Sequence, residues 1–136
     1  MTWEPRPLPH VTPETAPYWE AAADERLLLT QCLDCDLVYY YPRAHCPDCH
    51  SANTEWVEAT GTGTVYSYTA TEQVTNWPEH DLPLVAAYVE LDEGPRMFTA
   101  LLDCNPDDIA VGTRVTVRFE ATERDDVSIP AFEPID

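Results

Sequence analysis

Four of the five cysteines stand in two closely spaced pairs, Cys32-Leu33-Asp34-Cys35 and Cys46-Pro47-Asp48-Cys49. Two residues between paired cysteines allow one tight turn to direct both sulfurs at one metal ion. Two such turns supply the four thiolates that tetrahedral zinc prefers. Four bound thiolates leave no coordination position for water, so we expect the zinc to be structural and not catalytic. The predicted metal ligands are Cys32, Cys35, Cys46 and Cys49.

The cysteine spacing leaves alternatives open. Iron is the main rival metal, because a rubredoxin-like arrangement accepts it. Disulfides are disfavoured if the thiols are kept reduced, and His50 could replace a cysteine as a ligand. Asp36 and His50 follow the two turns, where a positive φ is often needed and where Asp and His are tolerated. Cys104 stands alone without a basic neighbour, so we interpret it as a free cysteine.

The charge balance restricts the environment and the partners of the chain. There are 25 acidic residues against 7 basic ones, every basic residue is Arg, and the formal net charge is -18. Such a chain repels itself in dilute salt, whereas at molar salt the Debye length falls to about 3 Å. We therefore predict a high-salt, haloarchaeal cytoplasm; the alternative is an acidic protein that simply stays soluble. The lack of clustered Lys and Arg argues against nucleic-acid binding.

Downstream of the cysteines the sequence has the alternation and the β-branched content of strands. The predicted strands are 63–74, 84–91, 96–102, 115–120 and 127–132. A helix of at most two turns is predicted at 105–112, with Asn105 as its N-cap and Pro106 at its first position. Pro130 marks the last strand as an edge or closing strand. This order of elements is typical of an OB-fold, a five-stranded Greek-key barrel.

The predicted fold is therefore mainly β, with an N-terminal helix, a rubredoxin-like zinc ribbon, and then a five-stranded OB-fold barrel with one short helix. We divide the chain into an N-terminal extended segment and helix (1–26), the ribbon (27–60) and the barrel (61–136). Thr12 or Thr15 is expected to cap the N-terminal helix. Tyr18 and Trp19 are expected to pin it to this chain or to a partner.

No catalytic motif stands out in the sequence. It contains no nucleophile elbow, P-loop, Rossmann glycine pattern or zinc-protease motif. Glu79, His80 and Asp81 lie in a loop between two predicted strands and could do acid–base chemistry, but a solvated acidic loop is the simpler interpretation. No run approaches a membrane span and the first residues lack a signal-peptide pattern, so we expect a cytoplasmic location.

Several segments together resemble the acyl-CoA-associated zinc-ribbon/OB-fold proteins. They are the helix around Tyr18-Trp19, the cysteine turns, the joint Gly61-Thr62-Gly63, and the later Val111-Gly112-Thr113. The resemblance covers nearly the whole chain. It departs from the family at Asp36 and His50, where many members carry glycine.

The resemblance implies a non-catalytic subunit or scaffold that binds a thiolase-like acyl-CoA enzyme in a hetero-oligomer. It also implies a structural zinc and a CoA thioester that is shared with the partner, whose cysteine and histidine would do the catalysis. The arginines available for CoA phosphates are Arg43, Arg96, Arg114, Arg118 and Arg124.

Two other functions remain open at this stage. One is an OB-fold nucleic-acid-binding module, in which Tyr66 and Tyr68 would stack on bases. The other is a small acyl-CoA hydratase or lyase component with its own pocket in the barrel.

Overall fold

The computed structural model describes residues 3–135, which form one α-helix, eight β-strands and two 3-10 turns. The elements are α1 (Ala16–Ala23), β1 (Leu28–Cys32), β2 (Val38–Tyr39), β3 (Thr54–Glu58), β4 (Thr62–Thr71), β5 (Leu84–Leu91), β6 (Arg96–Leu101), β7 (Arg114–Ala121) and β8 (Ser128–Pro134). The 3-10 turns are Glu79–Asp81 and Pro106–Asp108. The predicted fold class is confirmed, although the first and last positions of the predicted division lie outside the described residues.

The α-helix begins after Thr15 and has Pro17 in its first turn. Pro is favoured there because its missing N–H would have no helical partner. The Thr15 hydroxyl accepts the Thr12 N–H at 3.0 Å instead of capping the helix. At eight residues α1 is short, and no helix within residues 3–135 is long and apolar enough to cross a membrane.

The ribbon is a three-stranded antiparallel sheet in the order β2-β1-β3. Strand β1 pairs with β3 from Leu28 opposite Glu58 to Cys32 opposite Thr54. The short β2 pairs with the middle of β1, with Thr30 opposite Tyr39. The first cysteine turn therefore joins β1 to β2, and the second lies in the connection from β2 to β3.

The other five strands form a closed barrel in the order β4-β5-β6-β8-β7. Strand β7 returns to β4, with Val115 opposite Gly63. Gly63 is needed because a Cβ there would lie 2.6 Å from the Glu90 carbonyl oxygen. A β-bulge between Val65 and Ser67 bends β4 as it passes from β7 to β5.

One hydrophobic core joins the helix, the ribbon and the barrel. The inward side of β5 is buried along its length at Val85, Ala87, Val89 and Leu91, as its alternation predicted. Tyr18 of α1, Leu29 of β1 and Phe132 of β8 belong to the same buried cluster. The ribbon is consequently packed against the barrel by apolar burial, and not only linked to it by the chain.

The segment predicted as a helix at 105–112 is a single 3-10 turn. Asn105 caps it as predicted, its side chain accepting the Asp107 N–H at 3.0 Å. Ile109 then adopts extended backbone angles and buries its side chain in the core. Burial of Ile109 thus ends the helix that the local sequence favours. The last strand, Ser128–Pro134, contains Pro130 and closes the barrel between β6 and β7.

Candidate metal centre and barrel pocket

The two cysteine turns bring four sulfurs together at one end of the ribbon. The Sγ atoms of Cys32, Cys35, Cys46 and Cys49 all lie within 4.8 Å of one another. The Cys32–Cys49 pair is 3.5 Å apart and the Cys35–Cys46 pair 3.6 Å. A disulfide would require an S–S distance of about 2.03 Å. Four sulfurs bound to zinc in a tetrahedron, each with a Zn–S distance of about 2.3 Å, have S–S distances of about 3.8 Å. The sulfur arrangement therefore fits a four-thiolate metal ion.

The turns that carry the sulfurs are built alike. The Asp36 N–H donates to the Cys32 carbonyl and the His50 N–H donates to the Cys46 carbonyl, each at 2.9 Å. Asp36 has φ 66° and His50 has φ 65°, as predicted for the residues that follow each turn. Asp and His adopt this left-handed region more readily than most non-glycine residues, so the turns form without glycine.

Backbone amides favour the thiolate form of Cys46 in the second turn. The N–H groups of Cys49 and Asp48 donate to the Cys46 Sγ at 3.5 Å and 3.4 Å. These hydrogen bonds, first that of Cys49, lower the pKa of Cys46 to about 7. Because metals bind the thiolate and not the thiol, these hydrogen bonds prepare Cys46 as a ligand. The pKa values of Cys35 and Cys49 are raised instead, so those two thiols would lose their protons only on metal binding.

Side chains around the cluster connect the two turns. The Ser51 hydroxyl and the Asn53 amide both donate to the Asp34 carboxylate of the first turn. The hydrogen bond from Ser51, followed by that from Asn53, lowers the pKa of Asp34. Cys32 and Cys46 are buried with Tyr39 in a small cluster of their own. One side of the sulfur cluster is thus protected from solvent while Cys35 and Cys49 remain exposed.

The remaining candidate residues lie away from this cluster. His50 is not among the grouped ligands. Burial, and then the charges of Asp103, Asp81 and Asp108, raise the pKa of Cys104, which is the opposite of what a nucleophile needs. Asp81 of the predicted acid–base loop forms an ion pair with Arg6. The segment 79–81 is a 3-10 turn, and its ion pair with Arg6 joins it to the N-terminal segment.

Arg6 ties the N-terminal segment to the loop between β4 and β5. Its guanidinium carbon lies 4.9 Å from the ring centroids of both Trp3 and Trp77. The two indole rings themselves meet edge to face, with centroids 5.5 Å apart. This pair of cation–π contacts was not found by sequence reasoning. Arg6 and Asp81 are 75 positions apart, so no local pattern could have revealed their contact.

Next to these cation–π contacts, an apolar cavity of about 290 Å³ lies between the N-terminal segment, α1, β6 and β8. Its walls include Trp3, Trp19 and Trp77, together with Phe98 of β6 and Pro130 of β8. Trp19 does pin the helix to this chain, as expected, and it also lines the cavity. The cavity is at the small end of the range of ligand pockets, about 300–1,000 Å³.

Most arginines considered for CoA phosphates already have carboxylate partners. Arg96 pairs with Glu90, Arg114 with Asp92 and Arg124 with Asp126. Arg118 pairs with Asp103, Glu120 and Glu133. Within residues 3–135, exposed Arg43 is the candidate without a carboxylate inside 4 Å.

The two tyrosines considered for base stacking also have partners within the chain. The guanidinium carbon of Arg96 lies 3.8 Å from the centroid of the Tyr66 ring. The Tyr68 hydroxyl donates to the Ile109 carbonyl at 3.1 Å. Neither ring therefore depends on a nucleic acid for its contacts.

Comparison with known protein families finds two models whose boundary falls within β3. A family model described as the ChsH2 rubredoxin-like zinc ribbon domain matches residues 19–55. A second model, described as the ChsH2 C-terminal OB-fold domain, matches residues 56–120.

Individual relatives carry names of two kinds. The chain is 36% identical over 129 residues to a probable enoyl-CoA hydratase alpha subunit of Thermomonospora curvata, covering 95% of this chain and 40% of that protein. It is 32% identical over 100 residues to a DUF35 domain-containing scaffold protein of Methanocaldococcus jannaschii, covering 73% and 71%. This chain therefore spans less than half the length of the hydratase subunit and most of the scaffold protein.

A solved structure shows the same fold over nearly the whole chain. It is a chain of the Ltp2-ChsH2(DUF35) aldolase, with a TM-score of 0.80 and 35% sequence identity. The match covers 93% of this chain and 98% of that chain.

Proposed function

Because the chain belongs to the family of proteins that join a ChsH2-type zinc ribbon to an OB-fold, we propose that it is a non-catalytic accessory subunit, or scaffold, of an acyl-CoA enzyme. The observation that carries this proposal is the similarity along almost the whole chain to a DUF35 chain of an aldolase. The names of the hydratase subunit and the scaffold protein support the same class of role. We keep 1–26, 27–60 and 61–136 as the proposed division of the chain.

We further propose that one structural zinc ion holds the ribbon together. Its ligands would be Cys32, Cys35, Cys46 and Cys49. The sulfur separations and the amide hydrogen bonds to Cys46 support this assignment. The zinc would supply no chemistry to a substrate, since all four positions are taken by thiolates.

The side chains of the barrel support a role without catalysis. Burial, and then the charges of nearby aspartates, raise the pKa of the Cys104 thiol and disfavour its ionisation. Asp81 is engaged by Arg6. A binding role needs neither group to be activated, whereas nucleophilic or acid–base catalysis would.

We propose a thiolase-like enzyme as the partner, and the CoA thioester as a ligand that the two proteins share. Arg43, which is exposed and without a carboxylate partner, is our candidate for a CoA phosphate contact. A hydratase is the second candidate partner, favoured by the name of the Thermomonospora curvata relative. The larger size of that relative leaves room for further domains beyond the part that this chain matches.

Co-production with candidate acyl-CoA enzymes, one thiolase-like and one hydratase, tests the proposed function. We expect a stable complex in native mass spectrometry, and higher yield or activity of the enzyme than when it is produced alone. The class of enzyme in the complex separates a thiolase-like partner from a hydratase. The proposal fails if no complex forms and the enzyme's activity is unchanged. Acyl-CoA hydratase or lyase activity of the isolated chain would instead favour a small enzyme.

High salt is expected to stabilise this protein. The sequence has 7 arginines against 25 acidic residues, and six of the seven arginines form ion pairs within residues 3–135, so a large excess of negative charge remains. Salt screens the remaining repulsion more than it weakens these few pairs, since exposed pairs contribute only about 0–1 kcal/mol each. We expect the melting temperature to rise between about 0.1 M and about 2 M KCl. A flat or falling melting temperature would contradict a halophilic origin.

A further inference from the structure

The barrel is closed between β6 and β8 by a single residue pair, which leaves a seam along most of β6. Strand β6 pairs with β5 along its full length, from Arg96 to Leu101. Toward β8, in contrast, the register within residues 3–135 consists of the single parallel pair Leu101 and Phe132. The first four residues of β6 therefore have a sheet neighbour on one side only.

The direction of the backbone groups follows from two hydrogen bonds. The Leu91 N–H donates to the Pro95 carbonyl at 2.9 Å, so these two residues form a hydrogen-bonded pair. In an antiparallel ladder every second pair is of this kind, so the pairs that Met97 and Thr99 make with β5 are hydrogen-bonded as well. Met97 and Thr99 therefore face β5. At the other end of β6, the Leu102 N–H donates to the Phe132 carbonyl of β8 at 2.8 Å. Backbone groups two and four residues before Leu102 therefore also point toward β8. The N–H and C=O of Phe98 consequently point into the seam.

Pro130 explains why β8 does not close this seam. A parallel ladder that continued from the Leu101–Phe132 pair would place the amide of residue 130 opposite the Phe98 carbonyl. Proline has no N–H and cannot make that hydrogen bond. The ladder ends there, and the apolar cavity of about 290 Å³ lies between Phe98 and Pro130.

The surface beside the seam is apolar in a strongly acidic protein. Phe98 is 57% exposed and Tyr88 of β5 is 47% exposed, and their rings pack with centroids 5.0 Å apart. Outward positions of β5 and β6 near the cavity also include Ala86 and Ala100. The acidic residue at the end of this face, Glu90, is already paired with Arg96.

We propose that the seam edge of β6 is the docking site for an extended segment of the partner enzyme, which adds to the barrel as a strand and inserts one apolar side chain into the cavity. This inference rests on the proposed function. A peptide supplies both the acceptor and the donor that the Phe98 backbone requires, as in other cases of strand addition. The net charge of -18 favours a segment that is neutral or basic beside its apolar anchor.

Residue-resolved hydrogen exchange tests the proposal directly. In the isolated chain, the Phe98 amide should exchange faster than those of Met97 and Thr99, which face β5 and serve as internal controls. In the complex with the co-produced acyl-CoA enzyme, exchange at Phe98 should slow by at least about tenfold, because a new strand protects it. A stable complex in which the Phe98 amide still exchanges as in the isolated chain would overturn the docking site and leave the accessory-subunit proposal intact.

Two substitutions at one position separate the ring of Phe98 from its amide. Phe98→Ala removes the exposed ring and keeps the N–H, so we expect about tenfold weaker binding to the enzyme. Phe98→Pro also removes the N–H that faces the seam, and should weaken binding by a further factor of about ten. Equal affinities of the two variants would overturn strand addition. If the proline variant does not fold, the exchange experiment on the unsubstituted chain decides; if no complex forms, this inference fails together with the proposed function.

Discussion

Replacing Cys46 by serine is expected to abolish stoichiometric metal binding and to unfold the zinc ribbon. The buried cluster at this end of the ribbon contains only Cys32, Tyr39 and Cys46, which is too little apolar surface to hold the turns without a metal. Zinc binding to comparable four-ligand peptides contributes about 10–16 kcal/mol to folding. Loss of a buried ligand should therefore have the largest effect of any single substitution here. Metal analysis and thermal unfolding measure it.

The matched control for this experiment is Cys104→Ser. Cys104 is the one cysteine outside the sulfur cluster, and we expect its substitution to leave the metal content unchanged. The unsubstituted protein should carry one equivalent of zinc, and a chelator that removes it should unfold the ribbon. Finding iron instead of zinc would change the identity of the metal and leave the four proposed cysteine ligands as they are. A folded, metal-free protein with four free thiols would contradict the proposed centre.

Tyr18→Ala is expected to cost about 3–5 kcal/mol of unfolding free energy, the range found when buried large aromatic side chains are truncated. Tyr18 is 2% exposed and stands where the helix meets the ribbon. Its ring contacts Trp19 at 4.9 Å, Tyr41 at 5.8 Å and Tyr40 at 6.2 Å between centroids. Removing it leaves a cavity between the helix and the ribbon, and it takes away the support of Trp19 at the barrel cavity. Urea-induced unfolding measures the change.

Tyr18→Phe is the control that keeps the ring and removes only the hydroxyl. We expect it to retain most of the stability, because the aromatic contacts are made by the ring. Burial raises the pKa of Tyr18 well above its ordinary value, so the hydroxyl is neutral at any physiological pH. If Tyr18→Ala lost less than about 1 kcal/mol, the ring would not be joining the helix to the ribbon as inferred.

The features that could be predicted from the sequence are those made by residues close together along the chain. Each cysteine turn is made within a few residues, so its spacing and the positive φ of Asp36 and His50 could be foreseen. Alternation along β5 and β7 reports which side of a strand is buried, a property of neighbouring residues. The helix predicted at 105–112 marks the limit of such reasoning. The chain forms one 3-10 turn where the local sequence favours a helix, and the turn ends where Ile109 is buried in the core.

By itself, then, the amino-acid sequence determined the two cysteine turns and the succession of strands along the chain, because each depends on residues close along the chain. That succession is typical of an OB-fold. Only the tertiary structure decided the cation–π contacts of Arg6, the tryptophan-lined cavity and the open edge at Phe98. Arg6 meets a loop 75 positions away, and the seam exists because Pro130 arrives opposite a strand that ended almost thirty residues earlier. Contacts of that kind are set by the closure of the barrel and leave no periodic signal in the sequence.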